Sequence, residues 1–277
     1  MNASAPLLFD RRLLAPRLAR AGRLEPAGFL LDRVSGEMEE RLGAVLREFR
    51  VIADVWTPGS ALPAQRFPNV THVAVDPSGE EALNLAPGAF DLAVSALALQ
   101  FANDLPGVLA QIRRALKPDG LLLAALTGGD TLTELRQAFA AAEAEIEGGV
   151  SPRVAPAADL RDLGALLQRA GFALPVTDVD RVVVRYPHVF ALMQDLRRMG
   201  ATNTLIERRK TPLRRATLTR MAQVYAERFA DPDGRIRATF EIVWLSGWAP
   251  HESQQQPLRP GSAKASLAEA VRGLQPK

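Results

Sequence analysis

The sequence has 277 residues, 47% of them hydrophobic and 23% charged, with a formal net charge of +3; one soluble globular fold with a sizeable core accommodates such a composition. Its longest clean apolar run, Leu121–Leu126, falls far short of the roughly 20 residues that a membrane-crossing helix requires. The absence of cysteine removes disulfides, thiolate nucleophiles and cysteine-ligated metal or iron–sulfur centres; with only His72, His188 and His251 as histidines, no metal site is assigned.

The chain opens on a basic stretch. Between Phe9 and Arg23 lie Arg11, Arg12, Arg17, Arg20 and Arg23, against the single acid Asp10. An arginine-rich leader also suits a mitochondrial transit peptide, but serine is scarce and the stretch runs directly into domain-like sequence. Residues 1–34 are therefore read as a basic N-terminal arm, and the protein as bacterial and cytoplasmic rather than resident in the mitochondrial matrix. From Ser35 to Phe49 the apolar residues Met38, Leu42, Val45, Leu46 and Phe49 share one helical face. Glu37, Glu39 and Glu40 sit early in that helix, where its dipole favours acids.

Val51–Val55 reads as a buried strand. Thr71–Val75 is a second, ending at Asp76 and the turn-prone Pro77-Ser78-Gly79. Phe90–Ser95 is a third, after which Asn103 or Asp104 caps a helix with Pro106 in its first turn. Lys117-Pro118-Asp119-Gly120 ends that helix, and Leu121–Leu126 is a fourth strand. Strands alternating with helices predict an α/β three-layer sandwich around a mostly parallel sheet. Only residues 77–89 separate Asp76 from the third strand, too few for a helix plus another strand, so one edge strand is expected to be trimmed.

Thr131–Glu147 follows as a long helix, then a loop through Pro156 and a leucine-rich helix closed by Gly171. Val182–Tyr186 is strand-like. Helices at Val189–Met199 and Thr217–Phe229 form an insertion at about residues 187–230, before a last strand at Thr239–Leu245. Residues 35–252 make one domain. The tail, 253–277, is rich in Gln, Pro, Gly and Ser and is read as partly disordered, with a short terminal helix.

In a doubly wound sheet ligands bind beyond the carboxyl ends of the strands, where a glycine-rich turn exposes backbone N–H groups. Here the first strand leaves through Asp54-Val55-Trp56-Thr57-Pro58-Gly59-Ser60. Trp56 is bulky and Pro58 lacks an N–H, so Trp56 either fills the space of a cofactor or stacks on an unusual ligand. Asp54, Gly59 and Asp76 are the remaining cofactor-binding candidates. Asp76 stands where a carboxylate accepts ribose hydroxyls in other nucleotide-binding folds, or is an ordinary turn residue before proline.

Phe90–Ser95, Asn103-Asp104-Leu105-Pro106 and Leu116–Gly120 resemble class I methyltransferases, including the malonyl-carrier-protein methyltransferases. A denser set resembles the mitochondrial complex I assembly factor 5 family, a methyltransferase fold described as a protein-arginine hydroxylase. It includes Phe9-Asp10-Arg11, Gly128-Gly129-Asp130-Thr131-Leu132, Glu134-Leu135-Arg136, Gly148-Gly149, Arg169-Ala170-Gly171-Phe172, Met199-Gly200, Gly247-Trp248, His251-Glu252-Ser253-Gln254 and Gly261-Ser262-Ala263. The sequence departs from that family at Trp56, Thr57, Pro58 and Ser60, and at Gln100, where a histidine is usual. The resemblance implies a class I methyltransferase (Rossmann-like) fold with an antiparallel last strand. It also implies S-adenosylmethionine as the fold's cofactor, here facing a degenerate loop, and a respiratory-complex subunit as protein partner.

Asp130 and Glu134, four apart at a helix start, are candidates to hold a guanidinium, although Asp130 equally suits a helix cap. His251 and Glu252 follow the last strand and suit a base, a ligand or a surface turn. Arg197, Arg198, Arg208, Arg209, Lys210, Arg214, Arg215 and Arg220 make a basic belt. It is either a steering surface for an acidic partner or a solvated face. Few aromatics interleave it, which argues against nucleic acid. Three functions stand: a modifying assembly factor of the arginine-hydroxylase type, a conventional S-adenosylmethionine-dependent methyltransferase, or a non-catalytic scaffold.

Overall fold

The computed structural model describes residues 7–255. Its centre is a six-stranded sheet in the order β2-β1-β3-β4-β6-β5. The strands are β1 (Ile52–Val55), β2 (Val70–Val73), β3 (Phe90–Ala96), β4 (Leu116–Thr127), β5 (Ala173–Tyr186) and β6 (Ile236–Trp248). β1 to β4 run parallel, and β6 is antiparallel to both β4 and β5. β2 forms one rim and residues 74–89 contain no strand, which is where the trimmed edge was expected.

Seven α-helices cover the sheet among the described residues: α1 (Arg11–Ala21), α2 (Phe29–Gly43), α3 (Leu105–Ala115), α4 (Thr133–Glu147), α5 (Leu160–Arg169), α6 (Val189–Arg198) and α7 (Arg215–Phe229). The layers follow from the two-residue period of a strand. Leu121, Leu123 and Ala125 of β4 pack with α2, α4, α6 and α7, while Leu122, Ala124 and Leu126 pack with α3 and α5. A strand covered on both faces needs a continuous apolar run, which is why β4 was visible in the sequence.

Three elements differ from expectation, each for a local reason. The helix expected at Ser35–Phe49 is α2, Phe29–Gly43, whose buried stripe is Leu30, Val34, Met38 and Leu42. The stripe extends backwards through Ser35, and the chain turns away after Gly43, leaving Leu46 100% exposed. α2 therefore crosses residue 34, and the described part of the basic arm holds a folded helix, α1. β5 is much longer than Val182–Tyr186 because an edge strand alternates half-buried and exposed positions and gives no apolar run; its Pro175 sits at a register shift, where a missing N–H is tolerated. Finally, Lys117–Gly120 is the start of β4, where Asp119 N donates to Ala249 O and Ala249 N to Gly120 O.

The tail from residue 256 onward, with Gly261-Ser262-Ala263 and the expected terminal helix, lies outside the described residues. Within them, no helix is long and apolar enough to cross a membrane. The end of α2 can be tested by paired truncations. Leu42→Ala is expected to lower unfolding free energy by about 2–5 kcal/mol in urea melts, and Leu46→Ala by no more than about 0.5 kcal/mol.

Candidate functional site

The strand order reverses at β1 and β3, so the crevice for a ligand opens at their carboxyl ends. The turn leaving β1 is bound to its neighbours at nearly every step. Trp56 N donates to Val73 O at 2.7 Å, Thr57 Oγ1 accepts from Ala96 N at 2.9 Å, and Ser95 Oγ donates to Val55 O at 2.7 Å. Trp56 itself takes φ +62°, a left-handed conformation that favours glycine. Its indole is buried, with the residue 3% exposed.

Asp54, the penultimate residue of β1, reaches into this turn. Its Oδ2 accepts from Ala61 N at 2.8 Å and lies 3.5 Å from His72 Nδ1, while Oδ1 has no partner. Burial pushes its carboxyl above the usual carboxylate range, against the opposing bonds from Ala61 and Thr57 and the charge of His72. Asp54 thus shapes the turn from within. Asp76 closes its own turn instead: its carboxylate accepts from Ser78 N at 2.6 Å. The bonds from Ser78 hold its carboxyl below the usual range, and Arg11 adds a smaller pull in the same direction. Gly59, at φ +90° with open space around it, is exposed at the crevice.

The first helix sits over this place. Asp10 caps α1 by accepting from Leu13 N, and the next residue, Arg11, is 3% exposed. Its guanidinium lies 4.0 Å from the Trp56 ring centroid, its Nε 3.2 Å from Glu81 Oε1, and its Nη1 donates to Phe101 O at 3.2 Å. Arg12 Nε donates to Ser78 O at 2.9 Å. Periodicity cannot reveal such contacts, which join residues far apart in the chain. The available signal was the Phe9-Asp10-Arg11 motif itself, with an N-cap acid before a basic helix.

Beside this contact a cleft of about 720 Å³ opens between α1, the start of α2, α6 and the segment 153–157. Its wall is mainly apolar, including Leu18, Leu31, Leu97, Phe139, Leu196 and Phe240; Gln100, Thr131, Asn203, Arg153 and Arg197 supply polar groups. Arg153 is fixed by Glu143, which is 1% exposed. Glu143 accepts from Arg153 Nε at 2.9 Å and from Ser151 N and Oγ, both at 2.8 Å. Burial alone would raise the Glu143 carboxyl, but these bonds hold it below the ordinary glutamate range.

The structure does not bring Asp130 and Glu134 together. Asp130 precedes α4 and pairs at the surface with Arg181 of β5. Glu134 is buried and binds Thr239, its Oε2 accepting from the backbone N at 3.1 Å and Oε1 from the hydroxyl at 2.5 Å. The reason is that α4 starts at Thr133, after the left-handed Leu132. His251 and Glu252 lie exposed at the opposite pole, because antiparallel β6 carries the chain to the amino end of β4. There Gln254 Nε2 donates to Asp119 at 2.8 Å. The basic belt is partly paired: Arg208 with Asp10, Arg209 and Arg214 with Glu147, Arg198 with Glu25, and Arg220 with Glu145 and Glu227. Among the described residues no group of three or more acids and histidines is placed to hold a metal ion.

Glu143→Gln is expected to destabilise the fold by about 2 kcal/mol, since it breaks a mostly buried charge-assisted cluster. Because the folded-state carboxyl titrates below its ordinary 4.5, the wild-type contribution is complete above that pH and is lost as pH falls through the depressed value. Urea midpoints measured across this range should converge for the two proteins in acid.

A family model described as "Methyltransferase domain" matches residues 48–124. The mitochondrial arginine-hydroxylase NDUFAF5 of Danio rerio is 44% identical over 190 residues, covering 69% of this chain and 59% of that protein. Its Homo sapiens counterpart is 46% identical, covering 69% and 55%. A malonyl-[acyl-carrier protein] O-methyltransferase of Laribacter hongkongensis is 42% identical over 181 residues, covering 65% and 58%. The chain spans 46 to 59% of the length of these curated relatives and their kin. In fold, the YcgJ protein of Bacillus subtilis superposes with a TM-score of 0.51 at 13% identity, covering 79% of this chain and 99% of that one. The chain therefore carries the class I methyltransferase fold, and over 69% of its length it is similar to the arginine-hydroxylase NDUFAF5 proteins.

Proposed function

We propose that the protein engages a subunit of a respiratory complex, as an assembly factor resembling the arginine-hydroxylases, and does not use S-adenosylmethionine in the ordinary way. One observation carries the second half. At the exits of β1 and β2, where the fold receives an adenosyl nucleotide, the buried Trp56 indole is covered by the Arg11 guanidinium at 4.0 Å.

The residues present do not fit the adenosyl group. A nucleotide needs free backbone donors and a carboxylate for the ribose. The Trp56 N–H is already given to Val73, Pro58 has none, and one carboxylate oxygen of Asp76 is already engaged by Ser78. A desolvated cation–π contact of this kind contributes about 2 kcal/mol, which an entering adenine would have to displace together with the Glu81 and Phe101 contacts. The first half of the reading rests on the resemblance. A protein partner also suits the apolar cleft, since a polypeptide segment brings both apolar side chains and backbone polar groups.

Two further readings each have one observation in favour. Asp54 stands near the end of β1 and Asp76 shortly after β2, the order of acids in a working methyltransferase. Asp130 and Glu134 are both engaged internally, as in a scaffold without chemistry. Co-purification separates catalyst from scaffold: a catalyst leaves an altered arginine on the partner subunit, a scaffold an unaltered one.

The cofactor reading is tested by thermal unfolding with S-adenosylhomocysteine. A ligand at 100 times its dissociation constant adds about 2.7 kcal/mol, which raises Tm by several degrees in a domain of this size. A flat response is expected. A rise of that size would overturn the proposal.

A further inference from the structure

Arg11 is held as a receptor holds a ligand. Its guanidinium lies over the Trp56 ring at 4.0 Å from the centroid, with Glu81 3.2 Å from Nε and the Phe101 carbonyl 3.2 Å from Nη1. The carboxylate is set in advance: Glu81 Oε1 accepts from Asn103 N at 2.7 Å and Oε2 from Asp104 N at 2.8 Å. An aromatic face, a fixed acid and a carbonyl are the groups that recognise a planar cation.

The segment before Arg11 is bound in the manner of a peptide. Asn103 Oδ1 accepts from Leu8 N at 2.8 Å and Phe9 N at 2.7 Å, and Asn103 Nδ2 donates to Phe9 O at 3.0 Å. The Phe9 ring meets Phe101 edge-on at 5.8 Å. Asn103 reads only main-chain groups, so it accepts any chain that presents them.

The occupant fits imperfectly. Nε and Nη2 of Arg11 are buried without a hydrogen-bond partner, because the Nε approach to Glu81 is an ion pair whose N–H is not aimed at the oxygen. Arg11 is the first residue of α1, so the helix sets the backbone position from which its fork reaches the site. A buried donor left unmet carries its full desolvation cost, so a freely oriented arginine that satisfies these donors is the better ligand.

We propose that Trp56, Glu81, the Phe101 carbonyl and Asn103 form a peptide-arginine receptor, filled in cis by Leu8–Arg11, from which an arginine-bearing segment of a partner protein displaces that segment. This rests on the reading of a partner-engaging protein whose adenosyl position is closed. Displacement also frees α1, whose Leu18 and Ala21 line the adjacent cleft. Engagement of the arginine and opening of the cleft are thereby one event.

The test is calorimetric titration of the full-length chain with N-acetylarginine amide, using the neutral N-acetylcitrulline amide as control. Arg11→Ala is expected to bind the arginine probe at least ten-fold more tightly than wild type. Adding Glu81→Gln to it should abolish the gain, and citrulline should not bind. A folded Arg11→Ala chain that binds no more tightly than wild type overturns the receptor. Should that variant not fold, amide exchange of Leu8 and Phe9 in the wild type decides. Saturating arginine probe should accelerate it at least ten-fold over citrulline, and unchanged exchange overturns the proposal. Binding of S-adenosylhomocysteine by a chain that passes these tests would remove the closed-cradle reading alone. A flat response to both ligands would remove the receptor alone.

Discussion

The contact between the Arg11 guanidinium and the Trp56 indole ties the first helix to the first strand, and the rest of the ligand-facing end is arranged around it. Trp56 adopts a backbone conformation that costs a non-glycine residue on the order of 1–3 kcal/mol, and it persists only because its surroundings over-determine it. Its N–H donates to Val73 O, the next hydroxyl accepts from Ala96 N, and the neighbouring strand is pinned by Ser95. A glycine here would relax the turn and leave Arg11 above a void. Strain of this kind, at the switch point of the sheet, indicates a local shape maintained for what it excludes or receives.

The charges tell a second story. Helix α4 ends with Glu143, Glu145 and Glu147, the end at which the helix dipole disfavours acids. Each is answered by a base, two from connecting segments and one from α7. Arg153 binds Glu143, Arg220 binds Glu145, and Arg209 binds Glu147, which also accepts from Thr217 Oγ1 at 2.6 Å. The basic run after α6 is thus largely the complement of an acidic helix end. It stitches the segment between α6 and α7 to the body of the domain through Arg208, Arg209 and Arg214.

Legibility in the sequence followed the range of the interaction. β4 and β3 are doubly covered and announce themselves as apolar runs, and Asp104 before Pro106 marks the start of α3 by local cap chemistry. α2 was misplaced because Ser35, a plausible cap residue, lies within a stripe that begins at Leu30. The place of His251 and Glu252 follows from topology: a last strand running antiparallel must deliver its following loop to the amino end of its parallel neighbours, away from the crevice. Asp130 and Glu134 failed differently, since a four-residue spacing shares a face only inside a helix. The segment Leu8–Arg11 meets Phe101 and Asn103 across 90 to 95 positions of chain, and no local pattern encodes that.

The enclosure of the cleft is a property of several weak fastenings acting together. α1 is tied to the segment after α6 through Asp10 N to Thr204 O, through Arg208 to Asp10, and through Arg17 to the Asn203 carbonyl. Asn203 Nδ2 in turn donates to Pro152 O at 2.8 Å, joining the loop that Glu143 anchors. Several of these bonds are partly open to solvent, and such bonds belong to the low-stability end of a fold. Because Asn203 belongs to both ties, loosening α1 loosens the loop behind it as well. Access to the cleft then comes by local opening of one connected cover while the sheet beneath keeps its register, and whatever binds at Trp56 in place of Arg11 acts on the whole cover at once.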